Sequence, residues 1–290
     1  MSSKNNQGHT SALYIWNGLS MFWGTSFHTS PHSHNTLQLV FDIDKQFKLK
    51  DENSDWQHYS NAIIKAEHVH QLDSCGSIQL FIYLDQESEL AKKLSQKYLK
   101  ESSIVAIEDL DVTKLSSNFF KKLLVQSDCQ SLLKGCQFIL NRIIELEKPN
   151  DLDDRVKAAI HFITTSKDKQ FKVSMVAEHV CLSESRLRHL FKQQVGQPIQ
   201  NFILWMKVID SLNLVLKGKP IGESALDSGF WDNSHMNRSY KELLGAAPGQ
   251  LKAYEKELKI VACSEGNLHR LRTDIRDPYD SDNINQTISI

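Results

Sequence analysis

Two short segments of this 290-residue chain carry closely spaced side chains that can hydrogen-bond to nucleic-acid bases. The first, residues 183–192, reads SESRLRHLFK, and the second, residues 232–241, reads DNSHMNRSYK. Arginine, histidine, asparagine and serine can bond to base edges in the major groove of DNA, and arginine paired with guanine is the commonest such contact. These residue types therefore suggest recognition of double-stranded DNA.

Both segments have the apolar spacing of a helix with one buried face. Leu187, Leu190 and Phe191 recur at intervals of three and four residues, as do Met236 and Tyr240 in the second segment. Ser183 and Asp232 are suitable N-caps, because their side-chain oxygens can accept hydrogen bonds from the first free amides of each helix. A short amphipathic helix and a turn precede each segment, so the pattern predicts two helix-turn-helix motifs.

The second motif repeats the first at an offset of 49 residues. Phe191 corresponds to Tyr240 and Gly196 to Gly245, and residues 198–219 between the copies predict one long connecting helix. The side chains facing outward are predicted to read bases; a solvated helix face is the alternative. The predicted base-reading residues are Ser185, Arg186, His189, Asn233, Ser234, His235 and Arg238. The predicted phosphate contacts are Arg188, Lys192 and Lys241.

Residues 153–256 resemble the DNA-binding domain of the AraC/XylS family of transcription regulators. The matching positions of the second motif are Gly229, Phe230, Ser234, His235, Arg238, Lys241, Gly245 and Pro248. The departures from the family pattern are Cys181 for a turn glycine, Met236 and Tyr240 for phenylalanine, Lys207 for arginine and Ser211 for alanine. The resemblance implies a sequence-specific, effector-responsive regulator, with activation the more common output and RNA polymerase as a partner.

The same resemblance implies a cupin-like N-terminal domain that binds a small-molecule effector and dimerises. Short apolar runs over residues 13–84 agree with a β-rich domain. His32 and His34 are predicted on one face of a strand, as are His68 and His70, and Gln38 stands near the position of a cupin glutamate. Trp16, Trp23 and Trp56 offer stacking faces to an effector or belong to the core.

Three interpretations of these histidines remain open: effector-pocket groups, metal ligands, or ordinary structural residues. A metal-dependent cupin enzyme with a DNA-binding appendage is the alternative function, but the missing carboxylate argues against it. We therefore predict no enzyme activity, no cofactor and no bound metal. The predicted effector-pocket residues are His32, His34, Gln38, His68, His70 and Trp23.

The predicted fold class is α+β multidomain, a β-rich barrel with trailing helices followed by an all-α domain. The expected division is an effector and dimerisation domain over 1–146, a linker over 147–154, a DNA-binding domain over 155–258 and a partly disordered polar tail over 259–290. An apolar stripe near the end of the first domain is either core or the seam of a homodimer. Its members are Leu132, Leu133, Cys136, Ile139, Leu140, Ile143, Ile144 and Leu146.

Composition sets the remaining expectations. The net charge is only −1, but residues 153–256 hold 15 Lys and Arg against 11 Asp and Glu, so the predicted DNA-binding domain is the basic part. The five cysteines lack metal or disulfide spacing and are predicted to be reduced thiols. No apolar leader or long apolar run is evident, so a cytoplasmic protein without a membrane segment is expected.

Overall fold

The chain folds into a β-rich N-terminal domain and a helical C-terminal domain, which confirms the predicted fold class. A computed structural model describes residues 11–25, 28–43, 45–108, 128–144, 152–166, 168–255 and 257–267. The cupin likeness of the N-terminal domain and the exact domain boundaries stay predictions. Only residues 152–154 of the predicted linker are described, and the first helix of the C-terminal domain begins at Asp154.

Within the described residues, ten strands form two sheets in the N-terminal domain. They are β1 Ala12–Asn17, β2 Leu19–Thr25, β3 Thr36–Asp42, β4 Phe47–Asp51, β5 Gln57–Tyr59, β6 Asn61–Ile64, β7 His70–Asp73, β8 Ile78–Asp85, β9 Ile104–Ala106 and β10 Lys259–Asn267. The larger sheet has the order β10-β1-β2-β8-β3-β6-β9, and the smaller has the order β5-β4-β7. Successive side chains of β3 serve two cores, since Leu39 and Phe41 lie in one cluster and Val40 in the other.

In the part of the N-terminal domain that the structure describes, helices α1 Glu89–Tyr98 and α2 Cys129–Ile143 cover one face of the larger sheet. The apolar stripe of α2 is buried there; Leu132, Cys136 and Ile143 have no exposed surface. The interpretation of this stripe as core is therefore confirmed. The dimer-seam interpretation is wrong for the described positions, because the sheet of the same chain already covers them. Leu146 lies outside the described residues.

The described part of the C-terminal domain, residues 152–255 without residue 167, contains seven helices: α3 Asp154–Thr165, α4 Val173–His179, α5 Glu184–Val195, α6 Ile199–Leu216, α7 Ile221–Asp227, α8 Asn233–Leu244 and α9 Pro248–Tyr254. The long helix α6 lies between two apolar clusters, one with α4 and α5 and the other with α7 and α8. Among the described residues, α6 is also the one helix long and apolar enough to cross a membrane by composition. Its buried place between these clusters is that of a core helix.

The chain returns to the N-terminal sheet after α9, which corrects the prediction of a polar tail from residue 259. Strand β10 pairs in parallel with β1, with Leu13 opposite Ile260. This pairing also brings Cys263 to the first residue of α2, and Cys129 and Cys263 form a disulfide. The prediction of five reduced thiols is therefore wrong for these two cysteines. Their separation of 134 residues gave no local signal of the pairing.

The two domains share a core. Ile15 of β1 and Ile260 of β10 pack with Trp205 and Ile209 of α6. The Trp205 indole N–H donates to the buried Asp85 carboxylate at 2.8 Å. Because α6 also holds both predicted motifs, the N-terminal sheet is in direct contact with the scaffold of the DNA-binding region.

Candidate nucleic-acid interface

The turns of the two predicted helix-turn-helix motifs begin in the same way. Cys181 and Gly229 each have a positive φ, 54° and 81°, directly after the supporting helices α4 and α7. In both turns the following amide bonds back into the helix: Leu182 N–H to the Ala177 carbonyl and Phe230 N–H to the Ala225 carbonyl, both at 2.9 Å. These bonds satisfy carbonyls at the helix ends. The left-handed turn expected at Cys181 is therefore present.

The second turn is one residue longer than the first. Cys181 and Gly229 are 48 residues apart, whereas the N-caps Ser183 and Asp232 are 49 apart, and the extra residue is Trp231. Its side chain is 75% exposed, beside the start of α8. Sequence reasoning missed Trp231 as a candidate contact; the change of offset between turn and helix was the signal that could have found it.

The second helices of the two motifs, α5 and α8, are the predicted recognition helices, and both begin where the sequence predicts. The Ser183 hydroxyl accepts a hydrogen bond from Arg186 N–H at 3.3 Å, and the Asp232 carboxylate accepts one from His235 N–H at 2.7 Å. Each helix ends at a left-handed glycine, Gly196 and Gly245. The caps fix the length of each helix and hence which residues point outward.

The outward face of α5 carries most of its predicted contacts. Ser185, Arg186, His189 and Lys192 are exposed. Arg188 differs, because it is half-buried and its Nε donates to the Glu184 carboxylate at 3.0 Å. A surface ion pair of this kind is weak and can be exchanged for a phosphate, but Arg188 is not a free cation.

The outward face of α8 is similarly arranged, with one exception. Asn233, Ser234, Arg238 and Lys241 are exposed. His235 is half-buried, and its ring packs edge-on against Phe230 with centroids 5.3 Å apart. Its Nδ1 is buried without a partner among the described residues, so only the Nε2 side of this ring can face a base.

Buried contacts with α6 hold the two recognition helices in place. Phe191 of α5 packs edge-on against Phe202, with centroids 5.3 Å apart. In α8 the Tyr240 hydroxyl donates to the Val208 carbonyl at 3.0 Å and lies 2.8 Å from the Ser211 hydroxyl. Tyr240 and Ser211 are two departures from the family pattern, and the structure shows that they contact each other.

The C-terminal end of α5 contacts the N-terminal domain. Glu89 N–H donates to the Gly196 carbonyl at 2.7 Å. The crevice beside this bond is lined by Glu87 and Glu89 on one side and by His189 and Lys192 on the other. Carboxylates of the N-terminal domain therefore lie next to two predicted DNA contacts.

The structure brings three of the predicted effector-pocket histidines together. One ring nitrogen from each of His32, His34 and His70 lies within 4.8 Å of the others. Burial is the main cause that lowers the pKa of His34 to about 3 and that of His70 to about 4, so both rings are neutral at pH 7. His32 and His34 precede β3 and are not in a strand, which corrects that prediction; a single bridge joins His32 to His70.

Of the other predicted pocket residues, His68 lies outside the histidine cluster and Gln38 lies near it. His68 is turned away and bonds through Nε2 to the Asp51 carboxylate at 3.1 Å. Gln38 is buried, and it is paired across the sheet with Tyr83, whose ring lies 5.2 Å from that of His34.

Trp23 is stacked on Tyr14 in the core beneath the helices, and Trp16 is buried in the same core. Alternation along β1 and β2 directs both tryptophans to the helix side of the sheet, and the assignment of Trp23 to an effector pocket stays a prediction.

Comparison with known proteins concerns mainly the helical domain. A family model described as a helix-turn-helix domain matches residues 176–254. The arabinose operon regulatory protein of Escherichia coli strain K12 is 35% identical over 104 residues, which cover 35% of this chain and 36% of that protein. Its counterpart from Salmonella typhimurium strain LT2 is 32% identical over 136 residues, or 46% of this chain and 47% of that protein. Residues 176–254 form an AraC-type helix-turn-helix domain.

The matched segments span less than half the length of these two curated relatives, so the likeness describes the AraC-type domain and not the whole protein. Among solved structures, ToxT from Vibrio cholerae is 15% identical, covers 81% of this chain and 97% of its own, and superposes with a TM-score of 0.39. The AraC-type domain is a DNA-binding domain, and α5 and α8 are the second helices of its two helix-turn-helix motifs.

Proposed function

We propose that this protein is a sequence-specific transcriptional regulator that inserts α5 and α8 into consecutive major-groove faces of double-stranded DNA. The observation that carries this proposal is the pair of capped, donor-rich helices packed against one buried helix, α6. Two such helices on one chain can read half-elements about one helical turn, or roughly 34 Å, apart. One subunit would then recognise an asymmetric site.

Within this proposal the exposed donors have separate roles. Arg186, His189, Asn233, Ser234 and Arg238 contact base edges together with Ser185, and His235 contributes through Nε2. Lys192 and Lys241 contact phosphates, and Arg188 joins them after exchanging its partner Glu184. The exposed Trp231 adds an apolar contact beside the start of α8.

We also propose that an effector bound by the N-terminal domain regulates DNA binding and that the output is activation through RNA polymerase. The shared core at α6 and the contact between Glu89 and Gly196 support this coupling, because a change in the sheet is transmitted directly to α5 and α6. Homodimerisation stays a prediction without a described surface, since the stripe of α2 is buried. The relatives are regulatory proteins by name, so we propose no enzymatic role.

Selection of bound sequences from a random duplex pool, with purified full-length protein, tests the proposal. The expected result is an enriched asymmetric motif with two half-elements about one helical turn apart. Binding without enrichment, which simply weakens with salt, would contradict sequence recognition, because such binding reflects only phosphate contacts.

Two substitutions test the division into base and phosphate contacts. Arg238→Ala should lose about 1 to 3 kcal/mol of binding to the selected site and relax the preference at one base pair. Lys192→Ala should weaken binding to all sequences alike and reduce the salt dependence. Arg142→Ala and Lys100→Ala, exposed positions of the N-terminal domain, are the matched controls. Equal losses on selected and random DNA for Arg238→Ala would show that the assignment of roles is wrong.

A further inference from the structure

The histidine cluster has the arrangement of a metal-binding site. The ring centroid of His32 lies 4.8 Å from that of His34 and 4.5 Å from that of His70. The ring centroids of His34 and His70 are 5.8 Å apart. Two of the rings come from a segment before β3 and the third from the start of β7, so the fold and not the local sequence assembles the three. Imidazole nitrogens from separate elements that converge on one point can share a cation.

Backbone hydrogen bonds fix the orientation of two of the three rings. His32 Nδ1 lies 2.9 Å from the Ser30 carbonyl, and His70 Nδ1 lies 2.9 Å from the His68 carbonyl. A carbonyl only accepts, so Nδ1 carries a proton in both rings, and Nε2 is the nitrogen that can offer a lone pair to a metal. Metal-binding histidines have this same arrangement, in which the second ring nitrogen donates to a backbone carbonyl.

The Nε2 atom of His70 is an independent sign that something is bound. His70 is only 2% exposed, and its Nε2 is buried without a hydrogen-bond partner among the described residues. A buried polar atom left without a partner destabilises the folded protein. A cation shared with His32 and His34 would remove that destabilisation.

We propose, against the prediction of no bound metal made from the sequence, that His32, His34 and His70 bind one transition-metal dication, with Zn²⁺ as the representative ion. Three imidazole nitrogen ligands suit zinc and its neighbours, whereas Mg²⁺ and Ca²⁺ prefer oxygen ligands. Three protein ligands also leave a coordination position for water or another small ligand.

The position of this site gives it access to the second recognition helix. His34 lines a cavity of about 160 Å³ together with Tyr83 of the sheet and Leu243, Leu244 and Gly245 at the end of α8. A Cβ atom on Gly245 would lie 3.9 Å from His34 Nδ1. His34, one of the three proposed ligands, therefore lies at the contact between the N-terminal sheet and the DNA-binding domain. Metal binding itself is independent of the proposed function and is measured without DNA.

The test is a titration of chelator-stripped full-length protein with Zn²⁺ against a colorimetric zinc chelator. Exposed Cys75 and Cys181 are replaced by serine throughout, because free thiols also bind zinc. We expect one site per chain with a Kd below about 1 µM and weak competition by Mg²⁺. His34→Ala and His70→Ala should weaken binding at least about 100-fold, since removing a ligand exceeds the effect of removing its support. Co²⁺ should give a visible d–d absorption band that both variants lose.

His68→Ala is the matched control, because His68 is two residues from His70 but bonds to Asp51 outside the cluster. It should bind zinc as the parent protein does. Circular dichroism checks that each variant is folded. If His34→Ala or His70→Ala does not fold, His32→Ala, at a half-buried position, must show the same loss of zinc binding. The proposal is overturned if no site tighter than about 10 µM exists in the parent, or if His32→Ala and His34→Ala bind as tightly as His68→Ala.

Discussion

Both helix-turn-helix motifs have a left-handed residue at the start of the turn, but the space available for a side chain at that residue differs. The first turn accepts Cys181, whose side chain is exposed despite its positive φ. The second turn is buried: a Cβ on Gly229 would lie 2.2 Å from the Lys169 carbonyl oxygen, and the Gly229 carbonyl accepts a hydrogen bond from Lys207 Nζ at 2.7 Å. Two copies of one motif can therefore differ in whether the turn tolerates a side chain, because the residues packed against the turn, and not the turn itself, determine the available space.

The largest expected effect follows from that close approach. Gly229→Ala should lower the free energy of unfolding by about 2 to 4 kcal/mol, the sum of a strained left-handed alanine and a backbone collision. Denaturant unfolding of the full-length protein measures it.

Gly218→Ala is the matched control for this substitution. Gly218 also has a positive φ, 92°, but a Cβ there would meet nothing within 4 Å. It should lose only the conformational part, about 1 kcal/mol. Equal losses for both glycines would show that the buried turn imposes no extra constraint.

The next effect concerns how the two recognition helices are held on α6. Phe191 of α5 has no hydroxyl, whereas Tyr240 of α8 bonds to Ser211 and to the Val208 carbonyl. Tyr240→Phe should cost about 1 kcal/mol, and Ser211→Ala a similar amount, because each removes a buried hydrogen bond.

The double variant Tyr240→Phe, Ser211→Ala sharpens the comparison, since it leaves α8 held on α6 by an aromatic ring without a hydroxyl, as α5 is by Phe191. Replacing both partners by apolar groups should cost less than the sum of the two single changes, with a coupling energy of about 0.5 to 1 kcal/mol. A double-mutant cycle on denaturant unfolding measures this coupling. Strict additivity would mean that the two departures from the family pattern are unrelated.

The sequence predicted the local features of both motifs and failed where contacts are distant. Periodicity and capping residues located α5 and α8 to within a residue, because helix ends depend on nearby side chains. The disulfide between Cys129 and Cys263 and the return of β10 to the sheet depend on pairing across the chain, which carries no local signal. The histidine cluster lies between these cases: His32 and His34 are a visible pair, but only the bridge to β7 selects His70 over His68.

The smallest expected effect is at the tolerant turn. Cys181 has a φ of 54° where the second motif has glycine, and its side chain is exposed to solvent and not packed in the protein interior. Cys181→Gly should therefore raise the free energy of unfolding by about 0.5 to 1 kcal/mol, since relief of the left-handed conformation exceeds the added freedom of the unfolded chain. Cys75→Gly is the matched control, an exposed cysteine with a φ of 52° outside the DNA-binding domain. Both variants should gain similar amounts in denaturant unfolding. A loss of stability at Cys181 alone would mean that its side chain supports the first motif, and the contrast between a tolerant first turn and a constrained second turn would then be wrong.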